Sequence, residues 1–252
     1  MRFRHSADVW TSFPELSCGV LHATGVDPTV DLGRFLACHT DAARTRLAAG
    51  PEGGFPEIQA WRRAFARMGL APTRYRCAAE SLLRRFRREG ALPRLHPLVD
   101  LGNALSIGYA VPVAVLDVGR IAGDLAVRPA TGEETYLTFG GEPEHPEPGE
   151  IVFADSSGRA HSRRWTHRQS GWSTVRDDTG EVLVVIEAMH DGGAETVRRM
   201  LAELTAALAT PARTALLTAA APEFPVTRGP ADGRPVRPSR PGRDTGSRGR
   251  FR

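Results

Sequence analysis

The stretch LPRLHPLVDLGNALSIGYAVPVAVLD, Leu92 to Asp117, decides how this chain is read. It joins a strongly basic segment to an apolar helix-then-strand unit, and three polar residues interrupt the apolar run. Asp100 and Asn103 stand three apart, so on a helix they share a face. Asp117 closes the strand that follows. A polar group inside a buried pattern is costly unless it pairs or a ligand completes it. A site is therefore expected here.

Upstream, Ala78 to Arg88 reads as a helix that buries Leu82, Leu83 and Phe86, shows Arg84, Arg85, Arg87 and Arg88 to solvent, and stops at Gly90. From Pro56, the residues Ile58, Trp61, Phe65 and Met68 recur at helical spacing with Arg62, Arg63 and Arg67 turned away, and Gly69 ends that helix. Asp31 to Ala49 reads as a weakly amphipathic helix stopped by Gly50-Pro51, and Leu16 to Val26 as a first strand. After Leu105 the character changes to short β-branched runs: Val111 to Leu116, Leu125 to Val127, Thr135 to Phe139, Ile151 to Asp155 and Val182 to Ile186. Glycine turns punctuate them, an acidic loop runs from Gly141 to Glu150, and Ala194 to Leu208 is a last amphipathic helix. Helices mostly first and strands mostly later predict an α+β layout rather than a βαβ repeat.

The last stretch, Pro222 to Arg252, is rich in Pro, Gly and Arg with almost nothing apolar, so it is expected to be a disordered basic tail behind a folded unit over 1–221. Every basic residue is arginine. The tail carries eight of them against three acidic residues, a net +5, which leaves the body near −1 out of a total of +4. Within the body, Glu57 to Arg94 holds ten Arg against three Glu, or +7. That polarity suits a polyanion on one face, and equally two solvated helix faces.

Cys18, Cys38 and Cys77 are odd in number and form no CxxC pair, which fits a reducing compartment and argues against a disulfide frame or a zinc site. The N-terminus lacks an apolar signal core and no apolar run reaches 18 residues, so a soluble, cytoplasmic protein with no membrane contact is expected. His161 and His167 flank Arg163, Arg164 and Trp165 with no Cys or close carboxylate beside them, so no metal is expected. Ser106, Ser170 and Ser173 lie in no nucleophile elbow, and the pairs Gly140-Gly141 and Gly192-Gly193 are not phosphate-cradling loops, so no cofactor is expected either. What remains is polar groups at strand ends: Asp155 closes IVFAD and Glu187 closes VLVVIE. Each either caps a neighbouring loop's amides or belongs to a site. Asn103 is a structural amide or a substrate contact. The segment RRWTHRQSGW, Arg163 to Trp172, has a composition that stacks on bases and touches phosphates, or that makes a surface loop with a Trp anchor.

At VDLGN (Val99 to Asn103), VPVAVLD (Val111 to Asp117), VRPATGEE (Val127 to Glu134), Gly140-Gly141, IVFADSSG (Ile151 to Gly158) and VLVVIEAMHD (Val182 to Asp191), the chain resembles the B3/B4 domain. That domain is the editing module of the bacterial phenylalanyl-tRNA synthetase beta chain, and the likeness is closer still to freestanding B3/B4-domain proteins. The order and spacing match from about Leu92 to Asp191. The resemblance implies a mixed sheet with flanking helices, a tRNA partner, and hydrolysis of the ester of a mischarged aminoacyl-tRNA. It places Asn103 at the family's substrate-pocket asparagine and Glu187 at the glutamate that recognises the misattached amino acid, both expected to be catalytic, with Gly140 and Gly141 at a pocket-side turn and Ala114 at a pocket position. Asp155 joins the expected pocket from its strand end, and the charge pattern leads us to expect tRNA phosphates on Arg62, Arg63, Arg67, Arg84, Arg85, Arg88 and Arg94. Two departures stand out: Ala114 replaces the family's water-arranging histidine, and Gly102 replaces a hydroxyl residue beside the asparagine. They favour an alternative, a non-catalytic module that binds RNA or aminoacyl-tRNA. A third reading, a small-molecule binding protein, needs only the pocket.

Overall fold

The computed structural model describes residues 1–27 and 29–227, so the part of the expected tail beyond Thr227 lies outside the described residues. In chain order the elements are β1 (Arg2–His5), α1 (Ala7–Ser12), β2 (Ser17–Thr24), α2 (Gly33–Ala49), α3 (Pro56–Arg67), α4 (Ala78–Glu89), α5 (Pro97–Tyr109), β3 (Val113–Asp117), β4 (Leu125–Pro129) and β5 (Thr135–Leu137). There follow β6 (Pro143–Glu144), β7 (Ile151–Asp155), β8 (Arg159–Arg163), β9 (Arg168–Gln169), β10 (Glu181–Ala188), α6 (Gly193–Leu208), β11 (Ala212–Leu217) and β12 (Glu223–Pro225).

The fold is α+β, as the sequence predicts, but it carries two sheets. The larger has the order β12-β1-β4-β7-β8-β5-β6 with β9 added alongside β8, and it is mixed: β1 and β4 are parallel, as are β5 and β8. The smaller, β11-β2-β10-β3, is antiparallel throughout. Strand β10 alternates its contacts strictly. Val182, Val184 and Ile186 join a core with Leu98, Leu101 and Leu105 of α5 and Val197 and Leu201 of α6. Leu183 and Val185 join a second core with Phe3, Leu125, Val127 and Phe153 of the larger sheet and Trp61 and Phe65 of α3. The period-2 geometry of a strand thus splits the molecule into helices on one side of the small sheet and the large sheet on the other.

Local chemistry places the helix–strand unit. Pro97 opens α5, where its missing N–H leaves nothing unpaired, and the His96 ring accepts from the Leu98 amide at 3.2 Å. Helix α5 lies so close on β3 that a Cβ at Gly102 would sit 2.7 Å from Val115 Cγ2. Only glycine permits this approach, and no hydroxyl side chain fits at that position. Gly90 ends α4 in the left-handed region at φ 77°, as read from the sequence.

The boundary at residue 221 is corrected. Strand β12 pairs with β1 through Arg2–Pro225, Phe3–Phe224 and Arg4–Glu223, and Phe224 and Val226 are buried. The folded body therefore runs past 221, because two apolar residues among the prolines reach a sheet edge formed at the other end of the chain. Among the described residues, no helix is long and apolar enough to cross a membrane.

Candidate functional site: two clefts and a sealed carboxylate

The residues expected to converge do not. Asn103 lines a groove of ≈ 310 Å³ between α2, α4 and α5, together with Thr40, Arg44, Phe86, Arg94 and Asp100. Arg94 reaches Asp100 Oδ2 at 2.8 Å, and Asp100 also accepts from the Leu95 amide at 2.9 Å. Glu187 follows Val185 on the opposite face of the small sheet and is only 2 % exposed. Its Oε1 accepts from His5 Nε2 at 2.6 Å and from Trp165 Nε1 at 2.8 Å, while Trp61 Nε1 donates to its backbone carbonyl at 3.3 Å. The pocket expected between Asn103 and Glu187 is therefore not formed: a sheet separates them. Gly140 and Gly141 are also elsewhere. They form the exposed turn between β5 and β6, with Gly141 at φ 88°, and line neither the groove nor the cleft described next.

A second opening lies between the two sheets. It is a cleft of ≈ 50 Å³ lined by Pro112, Val113, Ala114 and Leu116 at β3, by Phe153 of β7, by His161 and Ser162 of β8, and by Ala78, Trp165, Thr166, Arg168 and Gln169. Trp165 forms its floor. The backbone there is forced: Arg164 (φ 47°) and Trp165 (φ 57°) are consecutive left-handed residues with side chains. Such conformations persist only when surroundings over-determine them. Here Trp165 N donates to the Ile151 carbonyl at 2.6 Å, Arg164 N donates to Glu150 Oε1 at 2.9 Å, and the indole is locked on Glu187. Within RRWTHRQSGW, Trp165 is thus a fully buried anchor rather than a base-stacking platform. Arg163 is buried and held by Glu150 and Glu144.

The histidine that sequence reasoning discounted lines this cleft, and the expected Asp155 stands behind it. Asp155 and His161 face each other across the β7–β8 hairpin, with His161 Nε2 donating to Asp155 Oδ2 at 3.1 Å. His161 therefore does have a carboxylate partner, six residues earlier in the chain. Asp155 also accepts from the amides of Ala122 (3.0 Å), Ser157 (2.9 Å) and Arg159 (3.0 Å) and from the Ser157 hydroxyl (2.8 Å). Burial opposes its charge, but the bonds from His161, the amides and Ser157 outweigh burial and hold the carboxyl well below the usual range. Register shifts at the hairpin: Phe153 opposes Ser162, whereas its neighbour Ala154 opposes Ala160. His161 is the extra residue of a β-bulge, a device that re-aims a side chain. The hairpin geometry was the available signal: IVFAD-SSG-RAH is a strand, a turn ending in Gly158 at φ 79°, and a returning strand.

The expected arginine face is largely neutralised within the chain. Arg62 donates to the buried Glu80 at 2.6 Å, Arg67 pairs with Glu15, Arg85 and Arg88 share Glu89, and Arg94 holds Asp100. Of the seven arginines expected on phosphates, only Arg63 and Arg84 make no ion pair among the described residues. No group of three or more His, Cys, Asp or Glu among the described residues is placed to hold a metal ion.

A stretch of 73 residues is 34% identical to the phenylalanine–tRNA ligase beta subunit of Cereibacter sphaeroides, covering 29% of this chain and 9% of that protein. An N-terminal fragment of the phenylalanyl-tRNA synthetase beta-subunit from Pyrococcus horikoshii aligns over 84% of this chain and 50% of its own, with a TM-score of 0.45 at 9% identity. The family model for the B3/4 domain matches residues 60–207, more than half of the chain, and takes in the helix–strand unit, the β7–β8 hairpin and β10. The chain belongs to the B3/4 domain family.

Proposed function

We propose that this chain hydrolyses the ester of mischarged aminoacyl-tRNA in trans, with the chemistry in the cleft between the two sheets rather than between Asn103 and Glu187. The observation that carries the reading is the lining of that cleft. His161, Ser162 and Thr166 line it, and their buried atoms His161 Nδ1, Ser162 Oγ and Thr166 Oγ1 make no hydrogen bond among the described residues. Unpaired polar atoms are rare in a folded interior and mark places that a polar ligand completes. Family membership and the likeness to a tRNA ligase subunit support tRNA as the substrate class. An aminoacyl ester is already activated, so holding it beside a water contributes much of the rate.

The tRNA would approach over the arginine-bearing helices. Arg63 and Arg84 are free to take phosphates, and the exposed Arg85–Glu89–Arg88 cluster exchanges partners at little expense because surface pairs contribute roughly 0–1 kcal/mol. The tRNA pool puts this work in the cytoplasm.

A second reading, a non-catalytic module that binds RNA or aminoacyl-tRNA, is favoured by one observation: Trp165 fills the space in front of Glu187 and leaves only ≈ 50 Å³. One experiment separates the two. The purified full chain is incubated with a panel of correctly charged and mischarged tRNAs, and loss of the ester is followed. Turnover of any pair selects hydrolysis. Tight, salt-sensitive binding without turnover selects the second reading, and neither result leaves a small-molecule pocket.

A further inference from the structure

We infer that Asp155 and His161 form a general-base dyad, with His161 Nδ1 as the atom that takes the proton from the attacking water. The inference rests on the hydrolytic reading above and names the group that performs it.

Asp155 is held ionised, so it can only accept at Oδ2. His161 Nε2 must therefore carry hydrogen, and the neutral ring has its lone pair on Nδ1. That nitrogen has no partner among the described residues, although the ring is fully buried and His161 is part of the cleft lining. His5 in the core has the same pattern, Nε2 on Glu187 and Nδ1 without a partner among the described residues, so what sets His161 apart is its place in the cleft lining. There the β-bulge takes it out of the ladder.

Asp155 is itself immobile. Its two oxygens receive bonds from the Ala122, Ser157 and Arg159 amides, the Ser157 hydroxyl and His161, so the imidazole sits on a fixed anchor. When Nδ1 gains a proton, the imidazolium remains paired with a carboxylate that stays ionised. This is the role division of a base and its orienting acid. Ser162 Oγ and Thr166 Oγ1, both unpartnered, line the same cleft and suit the oxygens of an ester and a water.

A water oxygen bonds to the ester carbonyl carbon while its proton passes to His161 Nδ1. The tetrahedral species collapses by breaking the bond to the ribose oxygen, which takes the proton back from Nδ1. The products are a free amino acid and a tRNA with a free terminal hydroxyl, and one water is consumed.

The test uses the full chain and tRNAs esterified with alanine, serine, valine or tyrosine, which span side-chain size. His161→Asn is expected to lower kcat by about 10²-fold or more with KM little changed, the range for loss of a general base. His161→Ala is expected to behave alike and to regain activity with added imidazole, which a purely structural role does not produce. Asp155→Asn should lower kcat comparably. Turnover by the unaltered chain that survives all three changes sinks the dyad and leaves the hydrolytic reading standing. No turnover of any ester by the unaltered chain sinks both. Should the variants fail to fold, ¹⁵N spectra of histidine-labelled wild-type protein decide: an Nε2–H tautomer with a bare Nδ1 supports the dyad, and an Nδ1–H tautomer overturns it.

Discussion

Two strands of this protein end their apolar runs on a carboxylate, and the two ends have opposite fates. Asp155 closes β7 and meets a tight turn, so loop amides and the returning strand β8 surround it while His161 carries its influence into a cleft. Glu187 closes β10 in the middle of the small sheet, between Cys18 of β2 and the β3 edge. Its oxygen is taken by His5 and by the Trp165 indole, and it is cut off from solvent. The first carboxylate organises a polar opening and the second fastens a core. A strand-end acid takes its role from what packs over it, not from its position in the run.

The sharpest way to break this contrast is Trp165→Ala. It removes a fully buried indole and the Glu187 bond, and is expected to destabilise the fold by roughly 3–5 kcal/mol, as large-to-small core changes do. Urea denaturation measures it, and a loss below about 1 kcal/mol would mean the indole is not a core element. Glu187→Gln is expected to be the next largest, about 1–3 kcal/mol, since one buried donor pair is disturbed while an amide oxygen still accepts from Trp165. If Glu187 served catalysis directly, this variant would lose turnover without losing stability.

Acid sensitivity sharpens the other half of the comparison. Glu134 resembles Asp155: burial opposes its charge, yet the Thr131 amide and Arg128 bring its pKa down to about 2. Both carboxylates have folded pKa values below their unfolded ones, so their contribution is fully present above the unfolded values near 4 and is lost as pH falls through the folded ones. The urea midpoint is expected to drop between about pH 4.5 and pH 2, and Glu134→Gln should flatten that drop. An unchanged slope in the variant would remove Glu134 from the account.

Smaller effects concern the outer surfaces. Reversing Arg63 and Arg84 to Glu is expected to weaken tRNA binding and reduce the dependence of log K on log salt by about two, one phosphate contact each. Reversing the Glu80-bound Arg62 should instead unfold α3 from α4. Asn103→Ala is expected to shift stability by less than about 0.5 kcal/mol, because its side chain makes no hydrogen bond among the described residues. A large fall in kcat from that substitution alone would return the chemistry to the groove.

Helices α2 to α6 and strands β2, β3, β4, β5, β7 and β10 were legible in the sequence, because their apolar residues recur in runs or at a regular period and several of them stop at glycine, proline or a charge. The misses share a cause. Strand β8, RAHSR, is polar yet buried, since Arg163 pairs with Glu144 and Glu150 and His161 with Asp155. Strands β1, β11 and β12 are short and their partners lie far away in sequence, β11 and β12 at sheet edges and β1 beside β12, so nothing local marks them. Of the expected site residues, Ala114 and Asp155 come to the inter-sheet cleft or its anchor, whereas Asn103, Gly140, Gly141 and Glu187 go elsewhere.

The order of helices and strands, the glycine that lets α5 lie on β3 and the family itself are written in short-range patterns, because periodicity and turn chemistry act over a few residues. Which face of the small sheet a polar side chain joins, whether an arginine is free or already paired, and which histidine meets an acid depend on contacts between distant segments. Those contacts are chosen only when the two sheets close around one core, and that closure turned a discounted histidine toward an opening and sealed a favoured glutamate behind a tryptophan.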